Sequence, residues 1–113
     1  MKSSFTLGLA LLMAMQAMMS CQDAKPTEST SATDTVIISG MQFSPALLWA
    51  NRGDTIVWIN KDIVSHDVTG ITNTELRSDT IAPGSSWKTT IGATMEYTCS
   101  IHPTMKAKVQ IRE

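Results

Sequence analysis

From residue 35 to its end, this chain of 113 residues is written in short apolar runs broken by turns. Val36-Ile37-Ile38 is a β-branched run closed by Gly40. Leu47-Leu48-Trp49 follows Pro45 and ends in the turn Asn51-Arg52-Gly53-Asp54. Thr55 to Ile59 is a second β-branched and aromatic run, stopped by Asn60-Lys61-Asp62. Ile81-Ala82-Pro83-Gly84 predicts another turn, and Trp87 to Ile91 alternates polar with apolar. Glu96-Tyr97-Thr98 is a further strand, and Lys106 to Ile111 sets Ala107, Val109 and Ile111 on one side and charges on the other. No segment sustains a helical period. Short strands with frequent turns predict an all-β, antiparallel sandwich or barrel. Asn73 to Asp79 reads equally as a loop or an edge strand. Trp58 alternates with Ile56 and is expected in the core, and Trp49 and Trp87 read as filler of the same sandwich.

Ahead of this domain the pattern is different. Met1 to Ser20 reads as a secretory signal, with Lys2 as a minimal basic start and Phe5 to Met19 as an apolar run too short to span a bilayer comfortably. The leader ends Ser20-Cys21, which resembles a bacterial lipobox and makes Cys21 the expected lipidated N-terminus; Met18 and Met19 depart from its usual residues. The plainer alternative is an ordinary signal cut near Ser20. Gln22 to Asp34 holds no large apolar residue and is rich in Ser and Thr, the composition of a tether that cannot bury enough surface to order itself. The expected organisation is a signal peptide at 1–20, a lipidated Cys and flexible tether at 21–34, and a β-domain at 35–113. The expected place is the periplasmic side of a bacterial membrane, the outer membrane being favoured, with the lipid as the membrane contact.

Charge is nearly balanced, at 9 Lys+Arg against 10 Asp+Glu, so the basic excess of a nucleic-acid binder is missing. The two cysteines have separate uses, since Cys21 closes the leader and Cys99 lies in a motif of its own. No disulfide is expected.

That motif is Tyr97-Thr98-Cys99-Ser100-Ile101-His102-Pro103-Thr104-Met105, in which Cys99, His102 and Met105 recur every three residues. His66, the other histidine of the chain, lies upstream. Two imidazoles, a thiolate and a weak thioether are the donors of a mononuclear blue-copper site, and they suit both Cu(I) and Cu(II). A short loop between strands can aim three side chains at one point while the fourth ties the loop to the body of the fold. Singly, each residue has an ordinary explanation: a core thiol, a loop histidine, a packing methionine. Zinc would favour a carboxylate over the thioether. A binuclear copper site would need a second Cys in the loop. A Cys–His nucleophile would leave Met105 unexplained.

These residues carry a resemblance to the cupredoxins. Gly40-Met41-x-Phe43-x-Pro45, Gly53-Asp54-Thr55-x-x-Trp58-x-Asn60, His66, Pro83-Gly84 and Tyr97-x-Cys99-x-x-His102-Pro103-x-Met105 match the family pattern across the domain, with the short ligand loop of the amicyanin type. The resemblance implies a Greek-key β-sandwich holding one type 1 copper through His66, Cys99, His102 and Met105. It implies a monomeric one-electron carrier, not an enzyme, that serves redox partner proteins. A copper chaperone or store is the alternative, but only Met41 and Met95 remain outside the leader and the motif. Asp67 stands where these relatives usually have Asn, and it is expected to hydrogen-bond the Cys99 loop at Ser100. The edge of His102, flanked by Ile101 and Pro103 and joined by Ile63 and Val64, is the expected port for electrons.

Overall fold

The computed structural model describes residues 31–113, so the expected signal peptide, the lipidated Cys21 and the tether up to residue 30 lie outside the described residues. Eight strands follow in order: β1 (Thr33–Ser39), β2 (Gln42–Ser44), β3 (Leu47–Ala50), β4 (Thr55–Asn60), β5 (Thr69–Gly70), β6 (Ser86–Thr90), β7 (Met95–Thr98) and β8 (Lys106–Ile111). Their two-residue period decides which side chains go inside. In β4, Ile56, Trp58 and Asn60 are fully buried while their neighbours face outward. In β8 the same parity buries Ala107, Val109 and Ile111.

The strands form two four-stranded sheets, ordered β2-β1-β4-β6 and β3-β8-β7-β5. Neither is wholly antiparallel, which corrects the sequence expectation. β1 runs parallel to β4, from Thr33 beside Thr55 to Ile38 beside Asn60, and β3 runs parallel to β8. The chain crosses to the other sheet at β3, returns at β4 and crosses again at β5, so strands that end as neighbours need not be joined by hairpins. β1 also begins two residues before the expected domain boundary. Thr55 N–H donates to Ala32 O at 2.9 Å and Ala32 N–H donates to Asp54 Oδ1 at 2.9 Å, which carries strand pairing back into the polar stretch.

Between the sheets lies one core. Tyr97 meets Trp58 edge-on, with ring centroids 5.5 Å apart, and Phe43 packs on Tyr97 at 4.8 Å. Trp87, half-buried, leans on Trp58 at 5.4 Å. Trp49 is not core filler: Ala50 takes the inward position on β3 and leaves Trp49 50% exposed. The Asn73 to Asp79 stretch is a loop, tied back by a bridge between Arg77 and Thr69 and by Ser78 N–H to Val68 O at 2.8 Å. It passes close over Gly70, where a Cβ would lie 1.9 Å from the Asn73 carbonyl oxygen, so no other residue fits there.

Candidate metal centre

The site gathers at one end of the sandwich, where β4 ends at Asn60 and β7 ends at Thr98. Asn60 shapes the first loop from within the core. Its amide donates to Val64 O at 2.9 Å and to Ile81 O at 2.8 Å, and its side-chain oxygen accepts from Asp62 N–H at 2.9 Å. His66 closes that loop and is pinned in a bridge with Ile81, accepting from Ile81 N–H at 2.7 Å. Its ring is fully buried.

A buried imidazole must be held at both nitrogens, and Asp62 holds the outer one. Asp62 Oδ2 lies 2.7 Å from His66 Nε2. The same carboxylate accepts from Gly40 N–H at 2.6 Å and Met41 N–H at 3.0 Å. Gly40 and Met41 both have φ of 61°, the left-handed turn that points consecutive N–H groups toward one acceptor. The Met41 N–H, followed by the His66 ring and the Gly40 N–H, holds the Asp62 carboxyl below the usual carboxylate range, against the opposing pull of its partial burial. The ionised carboxylate can only accept, so His66 carries its proton on Nε2 and leaves the lone pair of Nδ1 free to ligate. Asp62 was not singled out in the sequence. The available signal was its place four residues before a candidate ligand.

Cys99 follows β7 and is fully buried. The loop from Cys99 to Met105 is folded on itself: Met105 N–H donates to His102 O at 2.9 Å, Cys99 N–H to Met105 O at 3.2 Å, and the Thr98 hydroxyl to Met105 O at 2.7 Å. This winds His102 and Met105 back toward the thiol. His102 is half-buried and Met105 is 4% exposed.

The three donor atoms form a nearly regular triangle. Cys99 Sγ is 3.7 Å from His66 Nδ1 and 3.8 Å from His102 Nδ1, and the two nitrogens are 3.3 Å apart. A point in their plane lies about 2.1 Å from all three, the length of a metal–imidazole bond and close to that of a metal–thiolate bond. Three donor groups packed this closely around one point suit an ion held between them. With Met105 buried in the same loop, the donors are soft and nitrogenous with no carboxylate, which fits copper better than zinc, calcium or magnesium. His66, Cys99, His102 and Met105 form a group of the type 1 copper kind.

The thiolate has further support from Asp67, whose N–H donates to Cys99 Sγ at 3.4 Å. The Asp67 carboxylate crosses to the second loop, accepting from Ser100 N–H at 2.7 Å and from the Ser100 hydroxyl. The Thr69 hydroxyl donates to it at 3.0 Å. A carboxylate thus makes the loop-to-loop tie as an acceptor, with Ser100 supplying both donors. The best-formed cleft, about 390 Å³, runs between Met41, Phe43, Met105 and Lys106, and the three donor atoms are not in its lining.

No family model and no curated protein matches the sequence. Solved structures do. A purple cupredoxin from Nitrosopumilus maritimus superposes with a TM-score of 0.64 at 22% identity, covering 70% of this chain and 99% of that one. An oxidised proline-to-alanine variant of amicyanin gives 0.65 at 27% identity, covering 71% of this chain and 82% of the other. A reduced Cu(I) proline-to-glycine variant of amicyanin gives 0.63 at 28% identity with the same coverage. Fold and donor cluster together define the class the chain resembles: it has the cupredoxin fold and a donor group of the type 1 copper kind. Within that class it is similar to amicyanin. Such a closed centre suits electron transfer rather than enzymatic turnover.

Proposed function

We propose that this protein is a blue-copper carrier of single electrons, exported and held at a bacterial membrane through a lipid on Cys21. The carrying observation is the donor triangle, whose two nitrogens and thiol converge on one point at bonding distance. Copper bound there supplies a Cu(I)/Cu(II) couple. The residues supply constancy: His66 is fixed by Asp62, the Cys99 loop is tied by Asp67, and both loops spring from sheet strands. Little movement between oxidation states means a low barrier to exchange. His66 and Cys99 are sealed from solvent, so the half-buried ring of His102 is the way in and out for electrons. Ile101 at 47% exposed and the exposed Pro103 flank it, and Ile63 and Val64 stand out from the His66 loop. This apolar rim is proposed to make brief contacts with redox partner proteins, as small weak interfaces do. A copper store is disfavoured because, among the described residues, Met95 is only 2% exposed and Met41 is the one methionine outside the site left to an accessible cluster. The test is a visible spectrum of the copper-loaded protein: an intense blue thiolate band is expected, and Cys99→Ser abolishes it. A colourless Cu(II) protein with Cys99 intact sinks the reading.

A further inference from the structure

The outer face of the β3-β8-β7-β5 sheet has its own chemistry. On β3 the outward residues are Leu47, 49% exposed, and Trp49, 50% exposed. β8 lies beside them in register, with Leu47 opposite Lys108 and Trp49 opposite Gln110. The parity of β8 puts Lys106, Lys108 and Gln110 on this outer face, and exposed Arg112 follows at the far end. Glu96, set across from Lys108 on β7, and Glu113, next to Arg112, are the carboxylates beside these cations. The surface therefore pairs a large amphipathic ring and a leucine with an excess of cations.

Chain connectivity says what such a surface could meet. Arg112 N–H donates to Ala50 O at 2.8 Å, next to Trp49. Asn51 N–H donates to Asp54 Oδ2 at 2.8 Å, and Ala32 N–H donates to the other oxygen of the same carboxylate at 2.9 Å. The segment leading back to Cys21 thus enters the domain beside the Trp49 end of β3. Ten residues separate Cys21 from Ala32, a reach of at most about 40 Å even when fully extended. A lipid on Cys21 would hold the domain, this face included, within that reach of the bilayer. At such confinement a weak surface is enough. Tryptophan favours the headgroup layer, and Lys and Arg favour an anionic leaflet.

We propose that the outward face formed by Leu47, Trp49, Lys108 and Arg112 rests on an anionic bilayer surface. The inference rests on the reading of Cys21 as the anchor. β8 leaves the metal loop at Lys106 and runs along this face to Ile111, so the metal centre lies at one end of the contact and not beneath it.

The test uses the copper-loaded protein, extracted from membranes and reconstituted into vesicles carrying a nitroxide-labelled phospholipid. Trp58 is buried and Trp87 half-buried, so Trp49 is the ring a lipid probe reaches. In vesicles with about one-third phosphatidylglycerol, tryptophan emission should fall about twofold relative to unlabelled vesicles, and far less in pure phosphatidylcholine. Trp49→Phe should remove the quenching, and Lys108→Glu with Arg112→Glu should restore emission without altering the blue band. Absent quenching in the anchored protein overturns the proposal, as does equal quenching in zwitterionic vesicles. Mass spectrometry of the N-terminal peptide judges the anchor separately. If Cys21 proves unmodified, a maleimide phospholipid coupled to it supplies the same tether, since Cys99 is buried, and the face is judged on that conjugate.

Discussion

Asp62 and His66 are joined by a 2.7 Å contact between carboxylate and Nε2, and the same carboxylate clasps the N–H groups of Gly40 and Met41. One side chain thereby fixes a ligand ring to an exposed turn of the opposite hairpin. Carboxylates behind ligating histidines raise ligand basicity and fix the ring. Asp62→Asn keeps the shape and loses the charge. Copper affinity should fall about 10-fold to 100-fold by competition with a chelator, and the reduction potential should rise, because the oxidised ion depends more on a basic imidazole. Unchanged affinity and potential would show the contact to be ornamental.

Asp67 places a second negative charge beside the thiolate loop. Asp67→Asn should raise the reduction potential by tens of millivolts, the scale of about 1 kcal/mol of Coulomb energy. The Ser100 contacts can survive in part, since the Asn side-chain oxygen still accepts from Ser100 N–H. A redox titration reads the result, and a potential that stays or falls contradicts the assignment.

The apolar rim of His102 can be changed without touching a ligand. Ile101→Lys should slow electron exchange with a physiological partner by about tenfold, the effect of about 1.4 kcal/mol at a small interface, while leaving the blue band as it is. Stopped-flow exchange rates equal to those of the parent would move the port elsewhere.

Tyr97 is fully buried, and among the described residues neither its hydroxyl nor the nearby indole N–H of Trp58 makes a hydrogen bond of good geometry; the indole only tempers the cost of burying the phenol. Burial pushes the Tyr97 phenol up to about 12. A raised acid stabilises the fold below its unfolded value of 10.0 and loses that contribution as pH climbs toward the folded value. Tyr97→Phe removes an unsatisfied buried hydroxyl and should stabilise the protein by about 1 kcal/mol near neutrality in urea unfolding. The advantage should widen by about 2 kcal/mol as pH rises from 10 to 12. A destabilised variant would reveal a partner for the hydroxyl.

Much of this molecule was legible in advance because strands with one buried face write a two-residue period into the sequence. Six of the eight strands follow from that period or from β-branched runs, and the ligand motif follows from spacing. β2 and β5 were missed because three and two residues are too short to show any period. Trp49 was misplaced because size suggests burial, whereas parity against Ala50 decides it. The parallel pairings were hidden because pairing between distant segments leaves no local trace. Asp62 was invisible for the same reason: its role needs Gly40 and Met41, which are brought to it by the β1–β4 pairing.

The donor triangle joins residues 33 and 36 positions apart, one loop springing from each sheet. A site of that kind does not exist until both sheets have formed and docked, so it is absent from any partly folded chain. Loading is therefore a late event, selective for chains that have already folded. By mass action the seated ion then acts as a clasp across the sandwich, withdrawing molecules from the unfolding equilibrium in proportion to its own affinity. Heat resistance and metal content should rise and fall together.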